Sequence, residues 1–336
     1  MDDAEGYLWA FTVCGIYQVT HCIGGGAGGD VTRAFNMLTG DEVAIKMEML
    51  HVDHDTSHPP ALAYESAVYK LLGRPSVGFP SLLWAGKDHG NYVLILERLG
   101  PNLASLFKFC RRKFSPRTVC MIAQQMLSRI EYVHSRGLLV VDIKPHNFAI
   151  GMRENAHVVH LFDFGHSKLY LDPATGKHHP YVANRSAMGT AVYASIAAHK
   201  HHELCRRDDI EALFYVLVEF YCGDLPWQGI YAPTYKAKLE RTRDMKAGPA
   251  FRDFVTAHCP PEFQAYYSHY TNLKFTQEPD YAYLKGLFAD RMKAEGWDND
   301  AKFDWMDPSQ LEKGTLIPEE YVVDSRFVED MGLDPS

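Results

Sequence analysis

Two short polar segments near the middle of the chain constrain its fold more than any other feature. They read VVDIKPHNFAIG, at residues 140–151, and FDFG, at residues 162–165. Asp142 could accept the proton of an attacking hydroxyl group, and Lys144 could neutralise a migrating phosphoryl group. Asn147 and Asp163 offer the oxygen ligands that Mg²⁺ prefers. Because phosphoryl transfer depends mainly on positioning and charge neutralisation, these side chains indicate transfer from ATP with Mg²⁺.

Composition and charge exclude several other classes of protein. Of the 336 residues, 46% are hydrophobic, which is typical of a soluble protein with enough core for two lobes. The net charge of −8 argues against a nucleic-acid partner, and no apolar run is long enough to span a membrane. The acidic start lacks the features of a signal peptide, and the seven cysteines form no CxxC pair. We therefore expect a protein of the cytosol or nucleus.

The first part of the chain, residues 17–99, is predicted to form a β-rich small lobe. Residues 1–16 look like an N-terminal extension, and the break at residues 100–102 marks the boundary to the next lobe. The predicted elements are strands at 17–23, 43–47 and 91–99, and a helix at 62–72 that ends at Gly73.

Helices dominate the prediction for the large lobe, residues 100–305. Ser115 and Pro116 are typical of a helix start, and apolar residues recur after them on one helix face. Residues 208–223 are apolar almost all round, which indicates a buried central helix. The predicted fold class is therefore α+β with two lobes. Residues 306–336 carry eight acidic and two basic side chains and look like an acidic tail.

A glycine-rich run, GGGAGGDV at residues 24–31, could let the backbone approach phosphate groups closely. The pattern alone is weak, and in a dinucleotide-binding fold a helix would follow it. Here the next element is the predicted strand VAIK at residues 43–46, which ends in Lys46. A glycine loop followed by a strand lysine is the order found in protein kinases.

Each candidate residue also has an ordinary explanation. Lys46 could be a surface lysine, Glu65 a solvated helical carboxylate, and the Asp and Asn residues could cap turns. These explanations do not account for the order and spacing in which all five candidate positions occur, namely Lys46, Glu65, Asp142, Asn147 and Asp163.

Three histidines within residues 199–202 could bind a metal, but their irregular spacing favours solvated loop residues.

Several segments outside these motifs resemble the casein kinase 1 group of eukaryotic protein kinases. They include ERLGPNLASLFKFC (97–110), HPYVANRSAMGTAVYASI (179–196), RRDDIEALFYVL (206–217), LPWQGI (225–230) and EPDYAYLKGLF (278–288). The SI of YASI stands where most kinases carry Ala-Pro-Glu, which is a mark of this group. The resemblance covers about residues 17–305 and implies the bilobal protein-kinase fold.

The resemblance implies a nucleotide site between the lobes. In it the glycines would cover the phosphates of ATP, Lys46 would bind the phosphates and pair with Glu65, and Leu96 would be the gatekeeper. Backbone groups of Glu97 and Leu99 would bond adenine. The full set of residues expected around the nucleotide is Ile23, Gly24, Gly26, Gly29, Val31, Ala44, Lys46, Leu96, Glu97 and Leu99.

The resemblance also implies a catalytic site in the large lobe. Asp142 would be the catalytic base with Lys144 as its companion, and Thr190 would hold the substrate segment near Asp142. Asp209 would brace the catalytic loop from the buried helix. The implied Mg²⁺ ligands are Asn147 and Asp163.

The chain departs from the group at positions that bear on activity. Val140-Val141 replace the usual His-Arg, so we expect reduced but not lost activity, and we expect that phosphorylation of Ser186 or Thr190 is not the switch. Gly28 replaces an aromatic residue, which predicts a more mobile glycine loop. Five extra residues before Glu65 predict a looser ion pair with the strand lysine.

A cationic site that reads acidic or phosphorylated substrates in this group is altered as well. Lys238 and Gly229 match that site, whereas Val192 replaces its arginine. Because a lone monovalent cation binds an anion more weakly than a bidentate one, we expect a weaker preference for primed or acidic peptides.

These observations predict a monomeric serine/threonine kinase that uses ATP and Mg²⁺ and phosphorylates proteins, with no nucleic-acid or membrane partner. The main alternative is a catalytically weak pseudokinase that binds nucleotide and acts as a scaffold. A small-molecule kinase on the same fold is a further alternative. The segment GTAVYASI, which cradles a peptide in relatives, argues against it.

Overall fold

The described residues of the N-terminal part of the chain form a sheet of six antiparallel strands with one helix. The computed structural model describes residues 12–26, 29–50, 59–73, 77–183, 189–300 and 302–306. The strands are β1 (Thr12–Val13), β2 (Tyr17–Gly26), β3 (Gly29–Asn36), β4 (Glu42–Met49), β5 (Leu82–Asp88) and β6 (Asn91–Glu97). Their order is β1-β2-β3-β4-β6-β5, and helix α1 (Ala61–Leu72) follows β4 and ends at Gly73, where φ is 78°.

The sheet differs from the sequence prediction in three places. Residues 12–16, assigned above to an extension, form a hairpin with β2, and the side chain of Val13 is fully buried in the core of the sheet. Strand β5 was not predicted, because its half-buried residues do not alternate clearly between apolar and polar. Strand β6 ends at Glu97 instead of residue 99, since the chain turns there toward the large lobe and Gly100 N–H bonds the carbonyl of Ile150 at 2.8 Å.

The remainder of the described chain is mainly helical. The helices are α2 (Leu103–Phe109), α3 (Pro116–Ser135), α4 (Ile196–His199), α5 (Arg206–Cys222), α6 (Tyr235–Ala247), α7 (Pro249–His258), α8 (Pro261–Asn272) and α9 (Tyr281–Ala294). Two short strand pairs lie among them, β7 (Leu138–Leu139) with β10 (Lys168–Leu169), and β8 (Phe148–Ile150) with β9 (Val159–Leu161). The Ser115 hydroxyl caps α3 by accepting the N–H of Thr118, as its sequence predicts.

Helix α5 is the centre of the large lobe, and every residue from 208 to 220 is buried. One continuous hydrophobic cluster joins this helix to α3 and extends to Leu62 of α1 and Leu96 of β6. The sheet and the helical part therefore share a core, which fixes the position of the cleft between them. The predicted α+β, bilobal fold is confirmed. Within the described part of the chain, no helix is long and apolar enough to cross a membrane.

Candidate active site

The side chain of Asp142 lies at the centre of the candidate site. It follows β7 and is buried, and Asn147 Nδ2 donates to its backbone carbonyl at 2.9 Å. Its Oδ1 accepts both the N–H and the hydroxyl of Thr190, at 2.7 and 2.8 Å, and its Oδ2 lies 2.7 Å from Lys144 Nζ. The structure thus brings together four residues that the sequence placed up to 48 positions apart.

These contacts keep the Asp142 side chain charged. Burial alone would raise the pKa of its carboxyl group, but the nearby Lys144 ammonium and the Thr190 hydrogen bonds outweigh burial, so the pKa lies below its usual value. Asp142 is therefore a carboxylate at neutral pH. A carboxylate in this place can orient a substrate hydroxyl and accept its proton.

Glycine is required immediately before Thr190. Gly189 has φ of 83°, and a Cβ atom there would lie 2.9 Å from the carbonyl oxygen of Val141. This close approach places Thr190 against Asp142. Ser186 lies outside the described residues.

The carboxylate of Asp209 on α5 holds the backbone ahead of Asp142. It accepts the N–H groups of Val140 at 2.7 Å and Val141 at 2.9 Å, and its Oδ2 lies 2.8 Å from His134 Nε2. His134 in turn contacts the Tyr281 hydroxyl at 2.6 Å through Nδ1. The bracing contact expected for Asp209 is therefore present. The role of His134 was not predicted, because His134 and Asp209 are far apart in the sequence and meet only in the folded chain.

Lys46 of β4 forms a closed ion pair with Glu65 of α1. Lys46 Nζ lies 2.9 and 3.0 Å from the two carboxylate oxygens of Glu65 and 3.0 Å from Oδ1 of Asp163. Burial opposes the charge on Lys46, but Asp163 and Glu65 outweigh it and raise the pKa of this ammonium group. Burial would raise the pKa of the Asp163 carboxyl group, but its contact with the Lys46 ammonium group outweighs burial and lowers this pKa.

The prediction that the longer connection loosens the ion pair of Lys46 and Glu65 is wrong. The carboxylate of Glu48, on β4, accepts the N–H groups of Ala61 at 3.1 Å and Leu62 at 2.8 Å. This side chain caps the start of α1 and ties the helix directly to the strand that carries Lys46. The closed pair is therefore compatible with a longer connection.

The register of the sheet places five of the predicted nucleotide residues, Gly24, Val31, Ala44, Lys46 and Leu96, on one face. Gly24 of β2 is paired with Val31 of β3, which is paired with Lys46 of β4. Ala44, two residues before Lys46 and hence on the same face, is paired with Leu96 of β6, which is buried. Ile23 lies at an irregularity of β2, Gly26 is paired with Gly29, and Glu97 and Leu99 follow Leu96. Gly28 lies outside the described residues.

Two oxygens in the cleft could ligate a metal ion. Asp163 bonds Lys46 through Oδ1 and Asn147 donates through Nδ2, so Oδ2 of Asp163 and Oδ1 of Asn147 are the candidate ligands. In the described ranges no group of three or more His, Cys, Asp and Glu side chains could hold a metal ion. Mg²⁺ fits such a site, because it is usually held by one or two protein oxygens together with phosphates and water.

Two tyrosine side chains of α1, whose contacts were not predicted, hold the helix against the FDFG segment and the residues just after it. The Tyr64 hydroxyl donates to the carbonyl of Ser167 at 2.6 Å, and the ring of Tyr69 lies edge-on to Phe164 with centroids 5.2 Å apart.

The prediction of solvated histidines is wrong for His199, which is half-buried at the end of α4 and contacts the carbonyl of Ala191 at 3.1 Å.

The residues expected in a cationic substrate site come from separate parts of the large lobe. Lys238 is half-buried on α6, and Gly229 lies in the connection before α6 with φ of 74°. Val192 is half-buried, and its carbonyl accepts a hydrogen bond from Trp227 Nε1 at 2.9 Å.

The fold and this site define a bilobal phosphotransferase. In it Lys46 of β4 is paired with Glu65 of α1 and contacts Asp163 of the FDFG segment. A family model described as "Protein kinase domain" matches residues 17–265, which is more than half of the chain. The chain therefore belongs to the protein kinase family, whose members generally use ATP and Mg²⁺ and act on proteins.

Proposed function

We propose that this chain is an active serine/threonine kinase of the casein kinase 1 group. The observation that carries the proposal is the environment of Asp142, a charged carboxylate that touches both Lys144 and Thr190. The group assignment is supported by the sequence segments described above, and it implies serine and threonine as acceptors. We further propose a monomer of the cytosol or nucleus, the compartment being supported by seven cysteines without a CxxC pair. The acidic tail at residues 306–336 would solvate the C-terminus, and inhibition by folding back on the large lobe is the alternative role.

In the proposed reaction Asp142 orients the acceptor hydroxyl and takes its proton as the oxygen attacks the γ-phosphorus. Lys144 neutralises charge on the transferred group, and Lys46, fixed by Glu65, binds the other phosphates. Asn147 and the FDFG aspartate would hold Mg²⁺, which when bound neutralises charge on the phosphates. Transfer is direct, so no covalent enzyme intermediate is needed.

A nucleotide-binding pseudokinase is the second candidate, favoured by Val140-Val141 in place of the usual His-Arg. The charged Asp142 and the buried Asn147 beside it argue against this alternative, because a scaffold has no need of them.

An assay with labelled ATP, Mg²⁺ and casein separates the two candidates when the protein is compared with Asp142→Asn. Catalysis predicts that the substitution lowers transfer about 100-fold or more while both proteins bind nucleotide. Nucleotide binding by both proteins with equal background transfer would identify a pseudokinase.

A further inference from the structure

A lysine is buried beneath the segment that carries Thr190. Lys246, on α6, is 1% exposed, and its Nζ lies 3.0 Å from the carbonyl oxygen of Ala191 and 2.7 Å from that of Ala194. Lysine is almost never fully buried without partners. Here the partners are main-chain carbonyls of two residues within four positions after Thr190.

The surroundings of Lys246 direct its Nζ group toward this segment. Its Nζ lies 4.7 Å from the ring centroid of Tyr215 and 5.0 Å from that of Trp227, so aromatic faces cover it on one side. Glu211 of α5, whose Oε1 accepts the N–H of Ile196 at 2.8 Å, is an acidic residue that interacts electrostatically with Lys246. The nearby His199 Nε2 lies 3.2 Å away.

Other side chains anchor the same segment from the large lobe. The carbonyl of Val192, between the two residues that Lys246 bonds, accepts the indole N–H of Trp227 at 2.9 Å. The Tyr193 hydroxyl donates to Glu219 of α5 at 2.6 Å. Because the first residue of the segment bonds Asp142, any shift of the segment would move Thr190 relative to the catalytic carboxylate.

We propose that Lys246 is a positioning residue that sets the segment of residues 190–196 at the distance from Asp142 at which a protein hydroxyl can react. The proposal rests on the kinase function proposed above. Lys246 would act on the acceptor peptide through the backbone of this segment and not on ATP, because every contact that the described residues make with it is in the large lobe.

The two carbonyl contacts do not depend on the charge of Lys246. An ammonium group has three N–H donors and a neutral amine has two, so either form can bond Ala191 and Ala194. A side chain that merely fills the core would not need these donors. Methionine, which is similar in length and apolar, therefore separates positioning from packing.

The test compares Lys246→Met with Lys236→Met, a change at an exposed residue of the same helix. Steady-state rates are measured with peptide and ATP varied separately. Loss of two buried hydrogen bonds predicts that Lys246→Met lowers kcat/KM for the peptide about 10- to 30-fold, mainly through KM, while the Kd for ATP is unchanged. Lys236→Met is expected to match the unaltered protein.

Hydrogen exchange supplies a readout that does not require activity. Lys246→Met is expected to speed exchange of backbone amides within residues 189–196 while amides of α5 keep their protection. Peptide kinetics and exchange equal to those of the unaltered protein would overturn the proposal. Equal losses for peptide and ATP, with faster exchange throughout the large lobe, would also overturn it by showing a purely structural role. If the unaltered protein transfers no phosphate, the kinase function fails, and the exchange comparison still decides whether Lys246 fixes the segment.

Discussion

The carboxylate of Asp209 accepts the backbone N–H of Val141 at 2.9 Å, and Val141 has φ of 70°. A left-handed backbone costs a β-branched residue on the order of 1–2 kcal/mol, so the surrounding structure must hold it in place. The same carboxylate accepts the N–H of Val140, and both bonds are buried. The conformation of the chain just before Asp142 therefore depends on a side chain of α5.

Removing the Asp209 carboxylate is expected to destabilise the fold as well as the site. In Asp209→Ala the N–H groups of Val140 and Val141 and the ring of His134 lose their buried partner, so the free energy of unfolding should fall by about 2–4 kcal/mol. Urea unfolding measures the change, with Asp253→Ala, at an exposed residue of α7, as the control. A difference between the two variants under about 0.5 kcal/mol would contradict the prediction.

Phosphate removal is expected to leave activity unchanged. Val141 stands where most kinases carry an arginine, and it packs in an apolar cluster with Leu139, Tyr170 and Ala194 instead of offering a charge to a phosphate. The protein is treated with phosphatase, mass spectrometry verifies that Ser186 and Thr190 are free of phosphate, and the rate is measured before and after. Loss of activity on treatment would show that phosphorylation is the switch after all.

The pH dependence of kcat/KM is expected to report the contact between Asp142 and Thr190. The pKa of the Asp142 carboxyl group is lowered, since Lys144 and Thr190 outweigh burial, so activity should be lost only as pH falls toward that lowered pKa. Thr190→Val removes one stabilising hydrogen bond and should raise the pKa, which moves the acidic limb to higher pH. Thr190→Ser keeps the hydroxyl and is the control, and coincident acidic limbs in all three proteins would refute this assignment.

An arginine at position 192 is expected to increase the preference for primed substrates. Under the proposed assignment to the casein kinase 1 group, Val192 would take the position of an anion-binding arginine, with Lys238 and Gly229 at the other positions of that site. Val192→Arg adds a bidentate donor, so kcat/KM for a phosphorylated peptide should rise relative to its unphosphorylated form, about tenfold or more. The same gain from priming in the variant and the unaltered protein would exclude a role for this position.

Short motifs made much of the site predictable, because the chemistry of Asp142, Asn147 and Asp163 depends on residues close together in sequence. Helix α3 was predictable for a similar reason, since its cap at Ser115 and its apolar face are local patterns. The two-residue strand β1 was not, because two residues cannot show an alternating pattern.

Long-range contacts explain the remaining errors. The closed pair of Lys46 and Glu65 depends on Glu48 capping α1 across an intervening connection, which no spacing rule indicates. Lys246 lies on a helix rich in charged residues, where the sequence suggests a solvated side chain. It is buried because α6 packs beneath residues 191–194 and the rings of Tyr215 and Trp227 cover its Nζ group.

A crystal structure with MgCl₂ and a non-hydrolysable ATP analogue tests most directly whether the cleft binds a metal-bound triphosphate. The expected result places Mg²⁺ about 2.1 Å from oxygens of Asn147 and Asp163, with the triphosphate beside Lys46 and its γ-phosphate facing Asp142. A nucleotide bound elsewhere, or a cleft in which these side chains point away from the nucleotide, would contradict it.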